Sequence, residues 1–167
     1  MRYGDVCTAT CNSGFQLQGA SERRCDVNGV NGAWSQQESK VRCVDVTPPQ
    51  ITCPANVTLA TELNENFANV SWWPPSASDN SGYVPEVVSL PAVTEQPMKF
   101  PIGTSSVTYV ALDRRGNKAQ CTFYVTVHDV ESPTVDQCES PPTFLMRDRD
   151  VDIQWDKPIF SDNSGGH

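Results

Sequence analysis

The side chains best equipped for chemistry form a short oxygen-rich run that occurs twice. Residues 72–82 read WWPPSASDNSG and residues 155–165 read WDKPIFSDNSG. Asp79, Asn80 and Ser81, with their second copies Asp162, Asn163 and Ser164, carry the carboxylate, amide and hydroxyl oxygens that hard cations such as Ca²⁺ take. Asp113, in ALDRRGNK, and the linker acids Asp45 and Asp129 could add to such a set. Ca²⁺ takes about six to eight oxygens, and no D-x-D-x-D-G loop supplies them within one stretch. The same residue types also build turns, because Asp, Asn and Ser side chains bond their own backbone and Gly82 can take a left-handed conformation. Asp79 and Asp113 are therefore read as turn residues, and no metal or other cofactor is expected. Calcium stabilisation stays as an alternative.

Catalytic chemistry finds little support. There are two His, and His128 at a linker leaves no Ser-His-Asp or Cys-His arrangement. No two carboxylates are paired in a cleft by anything in the sequence, and an enzyme is not expected. Arg114 and Arg115 occupy a turn and could meet an acidic partner, although a solvated pair is the plainer reading. RRGN is not Arg-Gly-Asp, since Asn117 lacks the carboxylate.

The elements that position these residues repeat with them. DVTPPQI from Asp45 aligns with DVESPTV from Asp129, and Cys53 and Cys138 follow at similar distances. A period of about 84 residues is too long for a solenoid unit but suits a small domain. The expected units are 1–44, 45–129 and 130–167, the last being the front half of a second copy. In QCTFYVTV, Cys121, Phe123, Val125 and Val127 alternate with polar residues, as on a strand with one buried face. Val107, Tyr109 and Ala111 form a second alternating set, and DRRGNK joins the two as a hairpin turn. Val70 and Trp72 alternate with Asn69 and Ser71, with Trp72 as the core plug. Short strands joined by Gly and Pro turns, with no helical stripe, predict an all-β fold with a β-sandwich in the middle. Cys53 and Cys121, on the first and last strands of that sandwich, could clamp its two ends.

Composition sets the compartment. The chain has 167 residues, 7 Cys, 13 Pro, 10 Gly and a net charge of −8. Dispersed cysteines without a C-x-x-C pair read as disulfides formed in an oxidising, extracellular setting. The sequons Asn56-Val57-Thr58 and Asn69-Val70-Ser71 agree with a secreted glycoprotein. Net acidity argues against nucleic acid, and no apolar run approaches the roughly 20 residues of a membrane span. A secreted composition without a signal segment, and an odd number of cysteines, lead to the expectation that this is a piece of a longer chain.

Residues 1–44 resemble a sushi (complement control protein) module in CNSGFQLQG at Cys11–Gly19, Cys25, Trp34 and Cys43. The family bonds its first cysteine to the third and its second to the fourth. That resemblance implies a Cys11–Cys43 bond and leaves Cys25 without its partner. Cys7 is an extra, and Cys138 belongs to the incomplete copy, so Cys7, Cys25 and Cys138 are expected to lack their proper partners. Cys7 and Cys25 could still pair with each other. Trp34 would plug the small core. DVTPPQITCPANV, NVSW, SDNSG and FPIGTSSVTYVALDRRGNKAQCTFYVTVHD resemble the HYR (hyalin repeat) module, and DVESPTVDQCESPP with WDKPIFSDNSG resembles the front of another. Sushi followed by two HYR modules is similar to the polydomain family of sushi, von Willebrand factor type A, EGF and pentraxin domain-containing proteins. The resemblance implies immunoglobulin-like HYR sandwiches in a non-catalytic extracellular protein, binding matrix or cell-surface proteins in adhesion. Alternatives are a complement-control-type ligand-binding module and a Ca²⁺-stabilised spacer. The second copy lacks counterparts of the long hairpin, and Val151, Ile153 and Trp155 are expected to find too little apolar surface to hold them in place.

Overall fold

A computed structural model describes residues 5–26, 33–34, 40–140 and 156–165. Every regular element among them is a strand, so the fold is all-β. The first part carries β1 (Val6–Thr8), β2 (Phe15–Gln18), β3 (Glu22–Asp26), β4 (Ala33–Trp34) and β5 (Arg42–Asp45). There follow β6 (Gln50–Thr52), β7 (Val57–Ala60), β8 (Phe67–Val70), β9 (Ser76–Ser78), β10 (Glu86–Leu90), β11 (Met98–Pro101), β12 (Gly103–Leu112) and β13 (Lys118–His128). The last two are β14 (Thr134–Gln137) and β15 (Ile159–Ser161). The chain gathers into two compact units, and β12 and β13 run through both. One unit comprises Met1–Cys53, Pro75–Ser89 and Tyr109–Cys121; the other comprises Pro54–Pro74, Leu90–Thr108 and Thr122–His167.

In the first unit, β1, β3 and β4 form one antiparallel sheet and β2 pairs with β5, placing Phe15 opposite Asp45 and Leu17 opposite Cys43. Cys11 and Cys43 are joined by a disulfide. A second disulfide ties Cys53, just past β6, to Cys121 on β13. Antiparallel β6 and β9 deliver the chain into the SDNSG turn. The segment after β5 is held in place rather than left free: Val46 N donates to Gly14 O at 3.1 Å, and Thr47 Oγ1 donates to the same carbonyl at 3.0 Å.

The second unit holds most of the apolar core. There β7 runs parallel to β13 through Val125↔Val57 and Val127↔Leu59. Alternation in sequence becomes alternation in burial. Val107, Phe123, Val125 and Val127 are fully buried, while Thr122 and Tyr124 point to solvent. The two-stranded sheet of β8 and β11 contributes buried Ala68, Val70 and Phe100. Trp72 bridges these two layers, its ring 5.9 Å from that of Phe100 and 5.2 Å from that of Phe123. Such aromatic contacts bury much area with a defined geometry, and they make the layered arrangement of a sandwich.

Strand β8 stops at Val70, short of the expected Trp72. The Trp72 N–H donates to Gln96 Oε1 at 2.9 Å instead of to a neighbouring strand, and Pro74 and Pro75 have no N–H with which to continue a ladder. In the second copy, β14 and β15 pair through Thr134↔Ser161 and Val135↔Phe160. Both strands are largely exposed. Val151, Ile153 and Trp155 lie outside the described residues, as do the side chains of Cys25 and Trp34.

Candidate functional site

Three loops of the first unit bring three aspartates together. Asp45 ends β5, Asp79 opens the SDNSG turn after β9, and Asp113 opens the turn from β12 to β13. One carboxylate oxygen from each lies within 4.8 Å of the other two. Each acid is fixed locally by backbone donors of its own turn. Asp45 Oδ1 accepts from Thr47 N at 3.1 Å, Asp79 Oδ2 from Ser81 N at 2.9 Å, and Asp113 Oδ1 from Arg115 N and Asn117 N, both at 2.8 Å. These are the turn interactions the residue types suggested, and Gly82 takes the left-handed conformation at φ 78°.

Side chains add a second level of restraint. Asn80 Nδ2 donates to Asp45 Oδ1 at 3.3 Å, Asn117 Nδ2 to Asp113 Oδ2 at 2.6 Å, and Ser81 Oγ to Asp79 Oδ2. Asn117 Nδ2 also reaches the Asp45 carbonyl at 3.4 Å. Gly14 closes the floor with φ +87°; a Cβ there would stand 2.5 Å from Thr47 Oγ1 and 2.6 Å from Asn80 Nδ2. Only glycine fits that combination of conformation and close approach.

Not every oxygen is satisfied. Asp45 is 5% exposed, and its Oδ2 is buried without a donor. Asp79 Oδ1 is buried in the same state. The Asp79 carboxyl is held below the usual aspartate range, first by the Ser81 hydroxyl, then by the Ser81 N–H, with the adjacent Asp45 carboxyl and Asn80 N–H as smaller causes against a desolvation penalty. For Asp113, desolvation pulls upward, but the Asn117 side chain and the N–H groups of Asn117 and Arg115 together outweigh it, so its carboxyl is also held low. Sequence reasoning named all three acids as possible contributors but had no means of bringing them to one point.

Beside the cluster lies a cleft of about 400 Å³ lined by Phe15, Cys43, Asp45, Ser81, Tyr83, Arg114 and Arg115. The Arg114 guanidinium sits 3.6 Å from the Tyr83 ring centroid, and Tyr83 is 53% exposed. Tyr83 was missed in sequence; a single aromatic directly after a turn carries no signal of its own. Elsewhere, Cys7 and Cys138 are free and exposed. Asn56 is exposed with its Oδ1 accepting from Tyr124 N at 2.9 Å, and Asn69 is exposed on β8. Asp129 Oδ1 accepts from Glu131 N at 3.0 Å in the second unit.

The Sushi repeat (SCR repeat) family model matches residues 1–43 and the HYR domain family model matches residues 44–127. A mouse relative, sushi, von Willebrand factor type A, EGF and pentraxin domain-containing protein 1, is 43% identical over 98% of this chain. The human sushi repeat-containing protein SRPX2 is 35% identical over 77% of it, and hyalin of Strongylocentrotus purpuratus is 42% identical over 57%. The chain spans 4% of the length of the mouse relative, 26% of the human one and 8% of hyalin. Neither the matched families nor these relatives bear the name of an enzyme. With its sushi-type N-terminal part and its all-β, disulfide-tied middle, the chain belongs to the HYR domain family, joined to a sushi repeat.

Proposed function

We propose that this chain is a non-catalytic extracellular binding unit, of the kind used in cell adhesion, that engages a matrix or cell-surface protein. The observation that carries the reading is the Tyr83–Arg114 cleft of the first unit. Tyrosine and arginine dominate the energetic centres of protein interfaces, because both combine a large contact area with directed polar groups. Stacking on Tyr83 holds the Arg114 guanidinium before any partner arrives, which lowers the ordering cost of binding. An arginine pair on a chain of net charge −8 favours an acidic partner face at this one place. The two disulfides and the exposed sequons at Asn56 and Asn69 support an extracellular setting.

The test is binding of the secreted 167-residue chain to cell-deposited matrix, compared with Tyr83→Ala and Arg114→Ala. We expect each substitution to weaken binding by roughly tenfold or more, as truncation at an interface centre does, with thermal stability little changed. Secretion with a mass loss on enzymatic deglycosylation is expected in the same preparation. Unaltered binding by both variants rules out this cleft as the contact surface.

A further inference from the structure

We propose that Asp45, Asp79 and Asp113 are the protein ligands of a divalent-cation site of Ca²⁺ type, a role distinct from partner binding although Asp45 also lines the neighbouring cleft. The geometry is that of a shared ion. Ca²⁺–oxygen distances run about 2.3–2.6 Å, so two ligands on opposite sides of one ion stand roughly 4.6–5.2 Å apart. The three carboxylate oxygens lie within 4.8 Å of one another, inside that limit. All three are hard anionic donors, and no Cys or His joins the group. That donor set selects calcium-like ions over zinc or copper. Three protein oxygens are fewer than Ca²⁺ takes, so water completes the shell.

A second observation, separate from the clustering, points to an occupant. Asp45 is 95% removed from solvent by its 5% exposure, and its Oδ2 has no hydrogen-bond donor. Its carboxyl faces that of Asp79, whose buried Oδ1 also has none. A buried carboxylate oxygen without a partner is costly, and two facing each other cost more through repulsion. Among the described residues, no Lys, Arg or His ion pair relieves them: Arg114 is stacked on Tyr83, and Arg115 meets Asp113 through its backbone N–H. The remaining oxygens of the three acids are already held by Thr47, Asn80, Ser81, Arg115 and Asn117. Asp45 Oδ2 and Asp79 Oδ1 are thus left open on fixed side chains, Asp113 Oδ2 accepts from Asn117 with a lone pair still to give, and a cation between the three supplies the missing positive charge.

The repeat carries the same pair. In the second unit, Ser164 N donates to Asp162 Oδ1 at 2.9 Å and Glu131 N to Asp129 Oδ1 at 3.0 Å, as Ser81 does for Asp79 and Thr47 for Asp45. Asp129 again lies against Asp162, as one of the causes that hold the Asp162 carboxyl low, after the Ser164 hydroxyl and N–H. The pairing of linker acid with turn acid therefore belongs to the module. The alternative occupant is a single proton shared between Asp45 and Asp79.

Calorimetric titration of the full 167-residue chain with CaCl2 after chelation, together with thermal unfolding, separates the two. The expected result is saturable binding with a Kd on the order of 10⁻⁴–10⁻³ M, the range of extracellular calcium modules, and a Tm that climbs with Ca²⁺ as mass action requires. Equal MgCl2 should act more weakly, because Mg²⁺ gives up its own water reluctantly. Asp79→Asn and Asp113→Asn should each weaken Ca²⁺ binding about tenfold or more, since the site loses one of three charges. Glu86→Gln should leave it unchanged. Unfolding in chelator shows whether each variant still folds, and the titration of the unaltered chain is decisive without them. No heat and no Tm shift up to about 10 mM Ca²⁺ overturns the proposal, as does binding that survives in both variants or is lost only in Asp162→Asn. A Tm that rises as pH falls toward 5, without any response to Ca²⁺, assigns the pair to a shared proton instead.

Discussion

At the scale of single residues, Asp79 and Asp113 contribute to the response to acid. Asp79 and Asp113 both have carboxyls held below the ordinary aspartate value of about 3.9. The folded chain therefore keeps them ionised under conditions in which the unfolded chain has begun to take up protons. Their contribution to stability is complete above the unfolded value and is lost as pH falls through the folded one. In a chelated buffer, Tm should stay level between about pH 7 and 5 and then decline below about pH 4. Asp113→Asn should lower Tm at neutral pH, because an amide cannot reproduce both its backbone and its Asn117 contacts, and should also flatten the acid decline. A Tm in Asp113→Asn that falls with acid as steeply as in the unaltered chain would show that this carboxylate carries no part of the response. Each carboxylate acts through two or three hydrogen bonds from its own turn, so the SDNSG run and the Asp113 turn are compact units whose local structure was legible from residue type alone.

At the scale of elements, the β12–β13 hairpin is the frame. Its inward face is Val107, Phe123, Val125 and Val127, all fully buried. Its outward face pairs Thr108 with Thr122 at 2.8 Å and Thr104 with Thr126 at 3.1 Å between hydroxyls. Phe123 also meets the Trp72 ring, so one residue ties the long hairpin to the β8–β11 side. Phe123→Ala should destabilise the chain by about 3–5 kcal/mol, the range for emptying a large buried aromatic site. Thr122→Ala, at an exposed cross-strand pair, should cost only a few tenths to about 1 kcal/mol. Urea unfolding measures both, and near-equal losses would contradict the assignment of faces. This part of the fold was readable because strand periodicity is two, and a buried face writes itself directly into the order of apolar and polar residues. The end of β8 was less readable. It depends on a side-chain acceptor, Gln96, that takes the Trp72 N–H from elsewhere in the chain.

At the scale of the molecule, covalent ties compensate for small cores. Cys11–Cys43 spans 32 residues of sequence and Cys53–Cys121 spans 68. In the chain-entropy account, closing loops of these lengths is worth roughly 4 kcal/mol each, and losing one from a small secreted domain typically costs about 2–5 kcal/mol. Reduction should therefore lower Tm markedly, and Cys53→Ala/Cys121→Ala should remove more stability than any surface substitution. Native alkylation followed by peptide mapping should label Cys7 and Cys138, which are exposed and free, before Cys53 or Cys121. Rapid labelling of Cys53 or Cys121 would refute the tie.

Local order along the chain determined which residues form strands, which form turns and which face of the long hairpin is buried, because those properties depend on neighbours two to four positions away. Recurrence of the Asp-Val-x-x-Pro linker and the SDNSG turn marked a repeat longer than a lone motif. The convergence of Asp45, Asp79 and Asp113 was decided only by tertiary structure. Each acid, taken alone, has a complete local explanation as a turn residue, and their equal separations of 34 residues lie far beyond the reach of a helical or strand period. It takes β2 paired with β5, β6 paired with β9 and the closed β12–β13 turn to bring them within 4.8 Å. Burial of Asp45 is equally a product of folding. In sequence it is a polar residue ahead of two prolines, and it loses its water only when the turn at Gly14 and the Asn80 and Asn117 side chains close around it.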